Sequence, residues 1–292
     1  MRVTERGMSR TVLNDLMANR GRLSRIQEQM SSGSRINRPS DDPGGTVTLM
    51  RVTSSLSEID QYQSNISLGR ERLNSTEAVL AEASDAVNRL RELAVRGATG
   101  SMPDASLNAL GQEVSEIFEH LLSLGNTEHV GRYLFSGNQT DTRPFEVDPT
   151  GGILYHGDEA DMTRRIGPGI EVPLNINGEA TFRDVLESAA SIRDALFAGE
   201  QGQVDQSLDA LDGAQDTLLD ERSQVGSRMN RLDMSENRLE DLKISLTRVL
   251  SETGDVDMAE AIMDLNLTER AYQVALATGA RILPQTLLDF LR

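Results

Sequence analysis

Apolar residues recur at intervals of seven in two long stretches of this chain, one in each half. The repeat in the first half has seven members and no polar exception: Val52, Ile59, Ile66, Leu73, Leu80, Val87 and Ala94. This spacing is typical of a helix that buries one narrow stripe against a partner helix. Because no proline occurs between Gly44 and Gly97, the pattern predicts one helix of about 54 residues, roughly 80 Å long.

The second half carries a matching repeat that can supply the partner helix. Its two rows contain Val225, Leu232, Leu239 and Leu246, and then Leu242, Val249 and Val256. Polar residues Arg228 and Ser235 interrupt the second row, so we expect an open seam there, and Gly69 and Thr76 weaken the corresponding row of the first half. The two halves together predict an antiparallel helical rod with a thin core.

Composition excludes several classes of protein. The formal net charge of −17 argues against nucleic acid as a partner, although residues 1–40 carry eight arginines against three acidic residues. Cysteine is absent, which excludes disulfides and thiolate metal sites. No apolar run approaches the roughly 18 residues of a membrane span, and the arginine-rich beginning lacks the apolar core of a cleaved secretory signal.

Local sequence signals predict the remaining helices, turns and strands of the chain. Residues 1–32 form an amphipathic helix, Gly33 is placed as a left-handed C-cap, and Asp41 and Asp42 before Pro43 mark the next helix start. A helix over 104–124 follows, and then a glycine-rich stretch with β-prone pieces. Those pieces are 133–135, 153–155 and 170–174, followed by an Asn177-Gly178 turn signal, a helix from about 181, a loop over 199–202 and a helix over 204–252.

The predicted fold is mainly α: a long antiparallel helical rod formed by the N- and C-terminal halves, with a small β-rich domain inserted in the middle. We assign 1–42 to a terminal helix and joint, 43–140 with 179–254 to the rod, 141–178 to the β-rich insert and 255–292 to the C-terminal helix. The two ends, 1–42 and 255–292, together form one domain.

Apolar stripes near both ends of the chain are candidate subunit-packing surfaces. They comprise Val12, Leu16, Leu23, Ile26 and Met30 in the first helix, and Ile262, Leu265, Tyr272, Leu276 and Leu283 in the last. We expect them to pack against equivalent helices of other copies, because helical stripes left open at chain ends need a partner. The alternative is that they pair with each other within one chain, and both can hold. The final apolar residues also need a partner: Leu287, Leu288, Phe290 and Leu291.

The sequence contains no residue pattern typical of a catalytic, metal-binding or nucleotide-binding site. The three histidines, His120, His129 and His156, have no metal-ligand spacing, and the single Lys243 lies outside any phosphate-binding loop. The sequence therefore predicts no enzyme, no cofactor and no metal. One alternative is an adhesive or glycan-binding insert with an exposed aromatic platform of Tyr133, Phe135, Phe145 and Tyr155.

Several motifs, in this order, resemble those of the bacterial flagellin family. They are Ser31–Asn37 (SSGSRIN) with Asp41–Gly45 (DDPGG), Leu90–Val95 (LRELAV) and the ending Leu283–Arg292. The residues that carry the first motif are Ser32, Gly33, Arg35, Ile36, Asp41 and Asp42. The resemblance covers roughly 10–135 and 220–292, and the family often has alanine where Pro43 and Gly44 stand here.

Two further stretches, Gly131–Gly137 (GRYLFSG) and Thr140–Phe145 (TDTRPF), are similar to the hook-associated junction proteins within that family. The resemblance implies a structural part of the flagellum between hook and filament, exported through the flagellar type III apparatus without cleavage and located outside the cell. Its implied partners are further copies of itself, another hook-associated protein on the hook side, flagellin on the filament side and a cytoplasmic export chaperone that engages the C-terminal segment. A filament-forming flagellin is the rival role.

Overall fold

The computed structural model describes residues 5–99 and 102–282, which form two compact units. Unit 1 comprises Met1–Glu58 with Leu242–Arg292, and unit 2 comprises Ile59–Asp241. The two units divide between 58 and 59 and between 241 and 242, inside the long helices α2 and α5. They do not test the predicted boundaries at 42, 140, 178 and 255, which stay a prediction.

Six helices and six short strands make up the described residues. The helices are α1 Glu5–Ser32, α2 Pro43–Ala98, α3 Asp104–Gly125, α4 Gly178–Ala198, α5 Gln201–Gly254 and α6 Met258–Ile282. The strands are β1 Glu128–His129, β2 Arg132–Tyr133, β3 Phe145–Val147, β4 Ile153–Tyr155, β5 Thr163–Gly167 and β6 Ile170–Pro173. They form three separate antiparallel pairs, β1 with β2, β3 with β4 and β5 with β6. The predicted mainly α fold with a small β-rich insert is confirmed.

Within unit 2, α2 and α5 run antiparallel. Polar pairs connect them in opposite sequence order: Arg70–Asp233 at 2.8 Å, Glu77–Arg222 at 2.8 Å, Asn88–Gln215 at 2.8 Å and Arg91–Asp212 at 3.0 Å. The apolar repeat lies beneath these surface pairs. All seven predicted members of the α2 row are at most 6% exposed, and Val225, Leu232 and Leu239 of α5 are buried as well. Leu246 is only half-buried.

The polar breaks in the second rows of α2 and α5 do not leave an open seam, because the β-rich segment fills it. Arg228 Nη1 donates to the carbonyl of Asn175 at 2.5 Å, and Ser235 Oγ donates to the carbonyl of Ile166 at 2.8 Å. On α2, Gly69 lies so close to the buried Leu174 that a Cβ there would meet Leu174 Cδ2 at 2.9 Å. The expectation of an open seam was therefore wrong.

Buried Arg72 holds the first hairpin against α2. Its Nη2 donates to the carbonyl oxygens of Tyr133 at 3.3 Å and Leu134 at 3.1 Å. Burial lowers the pKa of this guanidinium, and the nearby charge of Arg132 acts in the same direction. One buried guanidinium nitrogen that donates to two main-chain carbonyls fixes the position of the hairpin on α2.

An aromatic cluster joins the β-rich segment to α4. The ring centroids of Phe135 and Phe182 are 4.8 Å apart, those of Phe145 and Tyr155 are 5.1 Å apart and those of Phe145 and Phe182 are 6.0 Å apart. Phe135 and Phe145 are fully buried. The hydroxyl of Tyr155 donates to the carbonyl of Phe135 at 2.9 Å, and burial raises the pKa of Tyr155 to about 12. The proposed exposed aromatic platform is wrong, because Phe135, Phe145 and Tyr155 form a core with Phe182, and Tyr133 is half-buried outside this cluster.

Local signals in the middle of the chain were partly misread. Asn177-Gly178 is not a hairpin turn: the Asn177 side chain accepts hydrogen bonds from the amides of Glu179 and Ala180 and so caps α4. Helix α4 therefore starts at Gly178 rather than near Thr181. Strands β1, β3 and β5 were not predicted, and the first β piece is Arg132–Tyr133 instead of 133–135.

Candidate functional site

The two connections to the terminal helices pair with each other in unit 1. Helix α1 ends at Ser32 and Gly33 follows with a φ of +71°, which confirms the predicted left-handed cap. The amide of Arg35 donates to the carbonyl of Gly254 at 2.6 Å, and the amide of Val256 donates to the carbonyl of Gly33 at 3.0 Å. Ser34 and Asp255 form an antiparallel bridge between these bonds. We call 33–42 with 253–257 the joint.

The side chain of Arg35 ties three segments of the joint together. Its Nε and Nη2 atoms donate to the carbonyl oxygen of Thr253 at 3.1 and 2.8 Å, and Nη2 also lies 3.2 Å from Asp42 Oδ2. Thr253 belongs to the last turn of α5, where free carbonyls and the helix dipole favour a cation. One guanidinium thus links the end of α5 to the start of α2.

Asp42 is the N-cap of α2, as predicted. Its Oδ1 accepts the amide of Gly45 at 2.8 Å, and Pro43 occupies the first helical position, where no donor is needed. The Gly45 amide has the largest effect on the pKa of Asp42 and lowers it; burial opposes this with the next largest effect, and the Arg35 guanidinium lowers the pKa further. Gly45 has to be small, because a Cβ would come within 2.5 Å of Ile36 Cδ1.

The other motif residues also serve the joint. Ser32 Oγ accepts the amide of Ser34 at 3.1 Å. Asp41, for which we predicted helix capping, instead accepts the amide of Arg38 at 2.9 Å and closes the turn before the helix. At the start of α6, Asp257 Oδ1 accepts the amides of Ala259 and Glu260 and so caps this helix. The motif is therefore a set of turn and cap residues that builds the joint.

Helices α1 and α6 pack against each other without burying a large side chain. Gly279 lies against α1 so closely that a Cβ would meet Val12 Cγ1 at 3.1 Å and Leu16 Cδ1 at 3.7 Å. Among the described side chains of the two helices, only Ala261 and Gly279 are buried. The predicted packing residues Val12, Leu16, Leu23, Ile26, Met30, Leu265 and Tyr272 are half-buried, whereas Ile262 and Leu276 are each 46% exposed.

The most exposed apolar side chains of these helices lie on faces that the sequence did not indicate. On α1 they are Leu13 at 45% and Met17 at 69%, and on α6 they are Met263 at 65%, Leu267 at 72% and Val274 at 64%. Their spacing of four or seven residues places them on one face of each helix. Leu283, Leu287, Leu288, Phe290 and Leu291 lie outside the described residues.

The histidines do not come together. His120 lies 3.2 Å from Glu82, His129 lies 3.0 Å from Ser75 Oγ, and His156 lies 3.2 Å from Glu146. Within 5–99 and 102–282, His, Asp and Glu side chains nowhere form a group of three or more that could hold a metal ion. In the same described ranges, no helix has the length and apolar character needed to cross a membrane.

The fold and the joint define a class of helical protein in which the first and the last described helices, α1 and α6, pack side by side and leave apolar faces uncovered. Comparison with known proteins gives the family. The model of the bacterial flagellin N-terminal helical region matches residues 3–140, and that of the C-terminal helical region matches residues 208–291. The chain belongs to the bacterial flagellin family and is a structural protein of the flagellum.

Relatives within the family include hook-associated proteins and flagellins. Flagellar hook-associated protein 3 of Salmonella typhimurium is 22% identical over 95% of this chain and 96% of its own length. Flagellin of Bacillus subtilis is 27% identical over the whole of both chains. The crystal structure of Bacillus cereus FlgL is 25% identical and matches with a TM-score of 0.60, covering 68% of this chain and 97% of the other.

Proposed function

We propose that the chain forms the junction between the flagellar hook and the filament, as a layer of copies held together by their terminal helices. The observation that carries the proposal is the α1–α6 pair, which is anchored by the joint yet leaves its large apolar side chains half-buried or exposed. A monomer gains little from such a pair, whereas stacking against other copies would remove this apolar surface from water.

Two likenesses support the junction role, and the stretches Gly131–Gly137 and Thr140–Phe145 favour it over the filament role, because they are similar to the hook-associated junction proteins. The likeness to hook-associated protein 3 covers nearly the full length of both chains, and the FlgL structure matches over almost all of its own length. The flagellins of the same family keep the filament role open as the second candidate. In either role the predicted stripes Val12, Leu16, Leu23, Ile26 and Met30, with Ile262, Leu265, Tyr272, Leu276 and Leu283, contribute to packing in the assembly.

The remaining features of the proposal concern export and partners. The chain would leave the cell through the flagellar type III apparatus without cleavage and act outside it. A cytoplasmic chaperone would cover the apolar C-terminal segment with Leu287, Leu288, Phe290 and Leu291 until export. Another hook-associated protein and flagellin would be its neighbours. Support comes from family membership and from the apolar composition of that segment, which exposed chain ends rarely have.

The experiment is deletion of the gene in its host, followed by electron microscopy of isolated hooks and measurement of flagellin in the medium. The junction role predicts hooks without filaments and flagellin released into the medium, both corrected by the gene on a plasmid. Hooks that still carry the intermediate layer and lack only the filament would instead identify the chain as the filament protein.

A further inference from the structure

Helices α4 and α5 leave an open groove of about 550 Å³ between them, within unit 2. The hydroxyl of Ser207 on α5 donates to Ser191 Oγ on α4 at 3.1 Å and so connects the two helices. Several residues that line the groove are small: Ser188, Ala210, Gly213 and Ala214. Side chains of this size do not fill the space between two helices, so the groove stays open.

Two of these small residues have no evident role within the chain. Gly213 lies in the interior of α5, where glycine is less favourable than alanine, yet nothing lies within 4 Å of a Cβ at this position. Ser188 is only 5% exposed, and among the described residues its hydroxyl has no hydrogen-bond partner. By contrast, Ser207 Oγ donates to the carbonyl of Gln203 at 2.9 Å. A buried, unpaired hydroxyl that lines a groove indicates a partner from outside the chain.

The wall that α4 contributes is acidic. Asp184 and Glu187 both line the groove, and the described residues that line it include no lysine or arginine. Glu187 lies 3.7 Å from Arg183, whereas the carboxylate of Asp184 makes no ion pair or hydrogen bond within the described part of the chain. Asp184 precedes Ser188 by one helical turn, so the unpaired carboxylate and the unpaired hydroxyl lie on the same side of α4.

The lining of the groove selects one class of ligand. Its carboxylates and the net charge of −17 disfavour an anion. The described lining residues include no aromatic or large aliphatic side chain, so an apolar ligand finds nothing to pack against. Within 5–99 and 102–282, no three His, Asp or Glu side chains lie close enough together to hold a metal ion. These observations leave a hydrophilic organic cation.

An aliphatic polyamine has the shape and the donors that this groove requires. Its N–H groups can donate to the oxygen atoms of Asp184 and Ser188 on α4, and to the side-chain amide oxygens of Gln203 and Gln206 across the groove on α5. The lining of α5 extends from 203 to 214, eleven residues or about 16 Å, which suits an extended chain. A methylene chain is narrow enough to lie over Gly213.

We propose that the groove between α4 and α5 binds an aliphatic polyamine, with one ammonium group at Asp184 and Ser188 and the chain extended along α5 over Gly213. The bound cation connects α4 and α5 and stabilises their hairpin, because a ligand that binds only the folded chain raises its stability. This site lies outside the joint and the terminal helices, and the proposal does not depend on the junction role.

The test is isothermal titration calorimetry of the purified full chain with spermidine as the probe. We expect one binding site, and we expect Asp184→Asn to weaken binding about tenfold, because a charge-assisted hydrogen bond is lost. Asp209→Asn is the matched control: it removes the same charge from the opposite side of α5 from Ser207 and should change the affinity less than twofold. Triacetylated spermidine, which carries no charge, should not bind.

A second pair of variants tests the position of the ligand. Gly213→Met places a side chain in the groove and is expected to abolish spermidine binding. Gly226→Met makes the same change in the interior of α5 but outside the groove lining, and it should bind as the unaltered chain does. Nothing lies within 4 Å of a Cβ at either glycine, so both variants should fold, which circular dichroism checks.

Three results would overturn the proposal. The first is that spermidine does not bind the unaltered chain. The second is that it binds Asp184→Asn and Gly213→Met as tightly as their controls, because the amine would then be only a counterion of an acidic surface. The third is that Mg²⁺ at the same ionic strength displaces it equally well. All of these measurements use the isolated chain, so the gene deletion decides the junction role separately.

Discussion

The guanidinium of Arg35 donates two hydrogen bonds to the carbonyl oxygen of Thr253, which lies 218 residues further along the chain. The same side chain reaches Asp42. This guanidinium adds to the main-chain bonds of the joint and connects the last turn of α5 to the start of α2.

Arg35→Ala should loosen the joint by about 1 kcal/mol. The hydrogen bonds are charge-assisted, but the side chain is 46% exposed and solvent screens part of the effect. We expect roughly fivefold faster hydrogen exchange at the amide of Val256, which donates to Gly33. Arg38→Ala, which removes only an exposed pair with Glu28, is the control. Equal exchange in both variants would show that Arg35 does not hold the joint.

Acid should open the joint through Asp42. Its folded-state pKa lies below the unfolded value of about 3.9, mainly because its carboxylate accepts the Gly45 amide. A depressed folded pKa means that the contribution is complete above the unfolded pKa and disappears as the pH falls through the folded one. Protection of the Val256 amide should therefore fall below about pH 4. Asp42→Asn keeps a capping oxygen but should remove this part of the pH dependence. An unchanged acid profile in that variant would contradict the assignment.

Sequence periodicity predicted the rod because the signal for it is local. Every member from Val52 to Ala94 lies on one buried row, and helix α2 begins and ends within one residue of the predicted limits Gly44 and Gly97. The caps Gly33 and Asp42 were predicted for the same reason, since each is set by a few neighbouring residues. A local sequence pattern is enough to predict a helix or a cap when the hydrogen-bonding partner of each residue lies within one helical turn.

Features with distant partners were misjudged. Arg228 and Ser235 looked like defects in the apolar row, because their acceptors lie 53 and 69 residues earlier in the chain. Asn177-Gly178 has the composition of a turn, whereas in the structure Asn177 caps α4 and Gly178 lies against the carbonyl of Phe135, 43 residues earlier in the chain. The exposed apolar faces of α1 and α6, with Leu13, Met17, Met263, Leu267 and Val274, were not predicted, because which face stays exposed depends on how the two helices pair.

Arg72→Ala should destabilise unit 2 by about 3 kcal/mol, because two main-chain carbonyls lose their buried donor. Chemical denaturation followed by circular dichroism measures this change. Arg70→Ala provides the comparison on the same helix: Arg70 pairs with Asp233 and Glu236 near the surface and should cost less than about 1 kcal/mol. Similar losses in both variants would mean that Arg72 does not anchor the hairpin.

Val130→Asn should stabilise the protein by about 1 kcal/mol. Val130 is 87% exposed and has a φ of +53°, a conformation that a β-branched side chain adopts only under strain. It forms the turn between β1 and β2 with Gly131, where asparagine is favoured. The melting temperature should rise by a few degrees. Leu154→Asn, in strand β4 with an ordinary φ, should not raise it. A lower melting temperature for Val130→Asn would show that the contacts of the valine side chain stabilise the protein more than its backbone strain destabilises it.

Two glycine-to-alanine substitutions in helices should have opposite effects. At Gly178 a Cβ would lie 2.0 Å from the carbonyl oxygen of Phe135, a main-chain atom beside the aromatic core that cannot move without disturbing it. We expect a loss of about 2–3 kcal/mol, typical of forcing extra volume into a packed core. At Gly202, near the start of α5, nothing lies within 4 Å of a Cβ, so alanine should stabilise the protein by up to about 1 kcal/mol through helix propensity. Urea denaturation of both variants measures the difference. If Gly178→Ala is as stable as Gly202→Ala, the carbonyl of Phe135 does not lie against Gly178. The described packing of the β-rich segment on α4 would then be wrong.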